Sequence, residues 1–197
     1  VETLAKVASI PIINGLTDDE HPCQVLADLM TIREKKLILD GLKVAYIGDG
    51  NNMCNSLLVA CLTLGMNVFI ANPSDYKPPS YYINKGHELA NKNGVSFFMT
   101  TSPEEAVKDV DVIVTDVWAS MGQEEECDKR RIDFDGYQVN KKLLTLAKED
   151  TIVLHCLPAH RGEEITNEIL EAHADTIFEE AENRLHAQKA VLVKLLK

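Results

Sequence analysis

The stretch Leu42-Lys43-Val44-Ala45-Tyr46-Ile47-Gly48-Asp49-Gly50-Asn51-Asn52-Met53 decides the fold. Leu42–Ile47 is apolar and rich in strand-forming residues, and it runs straight into a Gly-Asp-Gly turn, so it reads as a buried strand. A helix over Met53–Leu64 follows at once. Downstream the same unit recurs: a strand at Val68–Ala71, a helix at Tyr81–Asn93 and a strand at Val95–Met99. Then come a short helix at Pro103–Val110, a strand at Val112–Val117, a helix at Lys141–Lys148 and a strand at Ile152–Leu154. Helices at about Glu164–His173 and Glu182–Leu196 close the chain. Strands alternating with helices imply an α/β fold, a doubly wound parallel sheet covered on both faces. Ligands of such sheets sit beyond the carboxyl ends of the strands, so chemistry is sought just after each strand.

Upstream of the first strand the sequence predicts a helix from about Pro22 to Lys35, with Val25, Leu26, Leu29 and Met30 as its apolar stripe. Thr17 and Glu20 imitate a capping box, but a helix begun there would enclose Pro22, which lacks an amide hydrogen. Pro22 as first helical residue, capped by His21, is the cheaper arrangement.

With 20 Lys and Arg against 31 Asp and Glu, the net charge of −11 opposes a phosphate backbone, so nucleic acid is not expected as a partner. The densest basic run, Lys129-Arg130-Arg131, follows Glu124-Glu125-Glu126 and reads as mixed, solvated surface. Five cysteines without C-x-x-C spacing suggest neither a disulfide framework nor a zinc site, and they suit a reducing compartment. No apolar run reaches the ~20 residues of a membrane span, and no signal peptide is visible. Cytoplasmic localisation is expected; a matrix enzyme stripped of its leader would look the same. His87, His160, His173 and His186 show no ligand spacing and read as surface residues, and no metal is expected.

Four segments carry candidate chemistry. Gly48-Asp49-Gly50 lacks the third glycine of a dinucleotide fingerprint, since Met53 stands there, and no acid closes the next strand. It is then a tight turn, or one whose neighbours Asn51, Asn52 and Asn55 offer neutral amides to a small polar ligand. Asp116 ends a strand where a carboxylate can meet an ammonium group, and Ser120-Met121-Gly122 after it has the makeup of a mobile loop or a plain surface turn. Cys156 at the last strand's exit is a pocket-lining thiol or a buried inert one. His155 points to the opposite face of an extended segment and is not placed to activate it. Arg184 follows Glu179, Glu180 and Glu182, acids suited to a first helical turn, and pairs with them by default.

Taken in order, His21-Pro22-Cys23-Gln24, Asn51-Asn52, Asp116-x-Trp118-x-Ser120-Met121-Gly122, His155-Cys156-Leu157-Pro158 and Glu182-Asn183-Arg184 resemble the signatures of the ornithine carbamoyltransferases. The Ser-Met-Gly loop separates these from the aspartate carbamoyltransferases. The resemblance implies transfer of a carbamoyl group from carbamoyl phosphate to the δ-amine of ornithine, without a cofactor. It implies that His21 and Gln24 hold the carbamoyl group, that Asn52, Asp116, Ser120 and Met121 bind the amino-acid end of ornithine, and that Cys156 and Leu157 lie between the substrates. Arg184 would reach carbamoyl phosphate, the catalytic residues being His21, Cys156 and Arg184, and the Leu157-Pro158 bond would be cis. It divides the chain into the end of a carbamoyl-phosphate domain (1–20), an interdomain helix (21–36), an ornithine-binding α/β domain (37–178) and a returning terminal helix (179–197). Family members are trimers or multiples of trimers. The family's phosphate-binding run, Ser-x-Arg-Thr-Arg or Ser-Thr-Arg-Thr, is absent from these 197 residues, so the chain is expected to be part of a longer polypeptide and inactive alone. The rival readings are a carbamoyltransferase for putrescine or another amine, a non-catalytic amino-acid-binding module, and more distantly a nicotinamide dehydrogenase.

Overall fold

In the computed structural model, which describes residues 1–119 and 124–196, the Gly-Asp-Gly turn joins the central strand to its helix. The elements in chain order are α1 (Glu2–Val7), α2 (Pro22–Lys36), β1 (Lys43–Ile47), α3 (Asn52–Thr63), β2 (Asn67–Ala71), α4 (Ser80–Asn93) and β3 (Phe97–Thr100). There follow α5 (Pro103–Ala106), β4 (Val112–Thr115), α6 (Cys127–Asp133), α7 (Lys141–Leu144), β5 (Ile152–His155), α8 (Asn167–Ala172) and α9 (Ala174–Leu195). All neighbouring strands pair parallel, in the order β3-β2-β1-β4-β5. The chain therefore winds outward from β1 in one direction and then returns to wind in the other. The crevice between the exits of β1 and β4 is the point where the direction changes.

Side-chain alternation along the strands builds two cores. Val44, Tyr46, Val68, Ile70, Val112 and Val114 pack with α2, α3 and α4 on one face. Ala45, Ile47, Ile113 and Val153 pack with Phe134, Val139, Ile169 and Ile177 on the other. Both faces are covered over the central strands, which explains why these read as continuous apolar runs rather than alternating ones.

Several expectations are corrected. Leu26 is exposed, and the helix α2 instead buries Gln24, Asp28 and Thr31 with its apolar residues. The helix expected to run to Val110 stops at Ala106, because Asp109 turns left-handed (φ 55°) and delivers Val110 to the core. The helix expected to run to Lys148 ends at Leu144 and continues as turns. Glu164 does not open a helix; it is fully buried in the loop, and Thr166 caps α8 in its place. Glu179–Glu182 do not form a first turn either, since α9 begins at Ala174. His173, read as surface, is half-buried at the joint between α8 and α9. Neither α1 nor α6 was expected.

Candidate functional site

Asn51 organises the crevice. Lying in extended backbone at the head of α3, it caps the helix by accepting from the backbone N–H groups of Met53 and Cys54 (3.0 and 3.2 Å). Its Nδ2 donates to Asp116 Oδ2 at 2.7 Å, tying the β1 exit to the β4 exit. Asp116 leaves its strand after Thr115, and its Oδ1 accepts from Val117 N–H and, at 3.0 Å, from the Cys156 thiol. Three strand exits thus meet at one carboxylate.

Burial, then the Asp116 charge, pushes the Cys156 thiol well above its usual range, so it remains protonated and donates. His155 faces elsewhere: Nδ1 accepts from Leu157 N–H at 2.9 Å, leaving Nε2 to donate to Glu164 at 3.0 Å with both side chains fully buried. The assignment of the ring proton follows from the Leu157 donor. The Leu157-Pro158 bond is cis.

His21 caps α2 and is 8% exposed, with its backbone N–H donating to Ser56 Oγ. Burial first, then the Arg184 charge, holds its imidazole below the ordinary value, so it is neutral at pH 7. Its Nδ1 is buried without a partner among the described residues. Asn52 donates to Thr17 O at 2.7 Å and so steadies the segment that leads to His21.

A cleft of about 880 Å³ opens here, and His21, Asn52, Asp116, Cys156 and Leu157 all line it. Gln24 and Arg184 do not; they meet each other at 2.6 Å in a polar cluster between α2 and α9. Arg184 is thus not paired with its neighbouring acids, as helical spacing alone suggested. Asn55, also offered as a ligand amide, donates instead to Asp19 O. Ser120, Met121 and Gly122 lie outside the described residues.

Several lining residues escaped the sequence reading, Tyr76, Lys77, Lys129 and Arg130 among them. Arg130, taken there as solvated, is 6% exposed. It donates to Asp49 Oδ2 and Trp118 O (both 2.7 Å) and to Glu126 Oε2 (3.0 Å), with Tyr76 stacked below its guanidinium. The only signal for it was the i, i+4 spacing of Glu126 and Arg130. Burial raises the Asp49 carboxyl against the opposing pull of Arg130. Gly50 is explained by packing: a Cβ there would collide with the backbone of Lys77 and Pro78, so the missing side chain makes room for that segment.

The cleft presents carboxylates, a neutral imidazole, a thiol donor and the cations Lys77, Lys129 and Arg130. Such a lining suits a ligand that carries both charges and hydrogen-bonding groups.

The family described as "Aspartate/ornithine carbamoyltransferase, Asp/Orn binding domain" matches residues 40–195, and its "carbamoyl-P binding domain" matches residues 1–34. A protein described as ornithine carbamoyltransferase from Pyrococcus horikoshii is 55% identical over 196 residues, covering 100% of this chain and 62% of that protein. The structure of ornithine carbamoyltransferase from Pyrococcus furiosus superimposes with a TM-score of 0.91 at 52% identity, over 97% of this chain and 61% of that one. That of the anabolic ornithine carbamoyltransferase from Campylobacter jejuni gives 0.94 at 44% identity, over 98% and 65%. The chain thus spans about 62% of the length of the curated relatives it matches.

Proposed function

As the chain belongs to the aspartate/ornithine carbamoyltransferase family, we propose that it supplies the ornithine-binding part of an ornithine carbamoyltransferase. The observation that carries this reading is the meeting of His21, Asn52, Asp116 and Cys156 in one cleft at the sheet's change of direction. We assign residues 1–20 to the end of the carbamoyl-phosphate domain, 21–36 to an interdomain helix, 37–178 to the ornithine domain and 179–197 to the returning helix.

In this assignment Asp116 accepts the ornithine α-ammonium, and Asn52, Ser120 and Met121 complete the amino-acid subsite. His21, Gln24 and Arg184 hold carbamoyl phosphate, with Cys156 and Leu157 between the two substrates. The neutral δ-amine attacks the carbonyl carbon; a C–N bond forms, the bond from carbon to the phosphate oxygen breaks, and phosphate leaves with the electron pair. The amine's surplus proton goes to the departing phosphate. A free alkyl ammonium titrates near ~10.4, so the site must select the deprotonated amine and fix it in attack geometry. Neutral His21 is suited to donate one hydrogen bond to the developing oxyanion without acting as a base. A protonated Cys156 is suited to lining the site and unsuited to covalent catalysis. This displacement requires no cofactor.

The whole enzyme is proposed to assemble as a trimer or a multiple of one. A reducing compartment, the cytoplasm first, is supported by five free thiols, and among the described residues no helix is long and apolar enough to cross a membrane.

The test is citrulline formation by the full-length protein that carries this chain, with ornithine compared against putrescine. Ornithine should be preferred by at least ~100-fold in kcat/KM, because a diamine leaves the carboxylate-binding groups unpaired. Asp116→Asn should lower kcat/KM for ornithine by a similar factor. Equal rates with both amines, or no transfer, would reject the assignment.

A further inference from the structure

Between α2 and α9 lies a polar cluster that the proposed function touches only at its edge. Asp28 and Glu180 are both fully buried. The Gln24 side-chain nitrogen donates to each, to Asp28 Oδ1 at 2.9 Å and to Glu180 Oε1 at 3.1 Å. Glu180 Oε2 accepts the His155 backbone N–H at 2.9 Å. Of the four carboxyl oxygens, Asp28 Oδ2 alone has no hydrogen-bond partner among the described residues. Both hydrogens of the Gln24 amide are therefore engaged, and its oxygen turns the other way to accept from Arg184 Nη1 at 2.6 Å.

Two ionised carboxylates on one amide nitrogen, away from water, repel each other strongly. The groups facing them offer little relief. Among the described residues, Arg184 of α9 is the cation that acts on Asp28. Cys61 of α3 and Cys156 beyond β5 contribute thiols that burial keeps protonated, and the His155 ring is turned to Glu164. One proton added to the pair would make the cluster of Asp28, Glu180 and Arg184 neutral.

We propose that Asp28 and Glu180 share a single proton, borne by Glu180 and directed at Asp28 Oδ2, and that the pair is a positioning device locking the Gln24 amide with its oxygen toward Arg184. Burial raises both carboxyls, Asp28 to about 6 and Glu180 well above its usual range, and each senses the other. The shared proton stands on the geometry alone. Its consequence rests on the reading above: if Gln24 and Arg184 hold carbamoyl phosphate, loss of the proton sets two like charges on one amide nitrogen, and their repulsion displaces the amide and weakens that subsite.

The experiment uses the full-length protein carrying this chain. Infrared titration should show a protonated-carboxyl C=O band persisting above neutral pH, and Glu180→Gln should remove it. No such band in the wild type, or the same band in Glu180→Gln, overturns the shared proton. The glutamine mimics a protonated carboxyl, so KM for carbamoyl phosphate should match the wild type at pH 7. Above the pH at which the band is lost, KM of the wild type should climb about tenfold per pH unit while that of Glu180→Gln stays flat. Parallel profiles overturn the positioning role. A wild-type protein that shows the band and transfers no carbamoyl group rejects the proposed function instead and leaves the proton in place.

Discussion

Cys156 and His21 show how one residue's surroundings decide what it can do. A cysteine at a strand exit beside a histidine invites a nucleophile reading, yet this histidine turns to Glu164 and the thiol donates to Asp116. Cys156→Ser, whose hydroxyl can replace that donor, should fold and retain transfer to within about tenfold, whereas loss of a true nucleophile would cost several orders of magnitude. Alkylation of Cys156 should accelerate only at strongly alkaline pH, as the raised thiol requires. His21 gives a stability prediction with a definite sign. Its folded value lies below the ordinary one, so between the two the unfolded chain binds a proton that the folded chain refuses. The stability due to neutral His21 is complete above ~6.5 and is lost as pH falls through that value toward the folded one. The urea midpoint of the wild type should drop more between pH 7.5 and 5.5 than that of His21→Asn; His173, lowered in the same direction, is present in both and cancels. Equal drops would show that His21 titrates alike in both states.

Elements were legible where a periodic run met a terminator, and illegible where tertiary contacts set the boundary. β1 and β4 and most of β2 and β5 are buried, so their apolar runs stood out, whereas the edge strand β3 is only half-buried and exposes Phe98. The start of α2 followed from Pro22 alone. The start of α9 did not, because Glu179, Glu180 and Glu182 mimic a first turn, while Glu180 is a buried acid held mid-helix by Gln24 and His155. Arg130 was misread for a related reason: its partner Asp49 lies 81 positions away, and no local pattern reports such a pair. Of the residues that line the cleft, Asn52, Asp116 and Cys156 were found by looking just past the strand ends, whereas His21, which precedes the first strand, was singled out only through the resemblance of short motifs. Two substitutions test the elements that frame it. Gly50→Ala drives a methyl group into the Pro78 backbone and should destabilise by about 3 kcal/mol, read from the shift in urea midpoint at unchanged slope. Arg130→Met leaves Asp49 buried without its cation and should cost about 3–5 kcal/mol, whereas adding Asp49→Asn should restore part of the loss. Additive losses would mean that the pair is not coupled.

At the scale of the whole molecule the site is one-sided. The described cleft supplies Asp116, Cys156 and neutral His21, groups suited to an amino acid and to a carbonyl oxygen. A phosphate needs clustered donors, such as arginines at a helix start, and no Ser-x-Arg-Thr-Arg run occurs in the sequence. Apolar side chains point the same way, for Leu4, Val7, Ile10 and Ile13 near the beginning and Leu185, Leu192 and Leu196 on and just beyond α9 are exposed. Exposed apolar groups in such number are normally covered, and the relatives are longer than this chain. The chain on its own should therefore bind a hydrophobic dye, self-associate with rising concentration in sedimentation runs, and form no citrulline from ornithine and carbamoyl phosphate. The full-length protein should bind little dye, keep one assembly state and turn over. Turnover by the isolated chain at a rate comparable to the full-length protein would mean that the phosphate is held by residues already present, with Lys77, Lys129 and Arg130 at the cleft the first to examine.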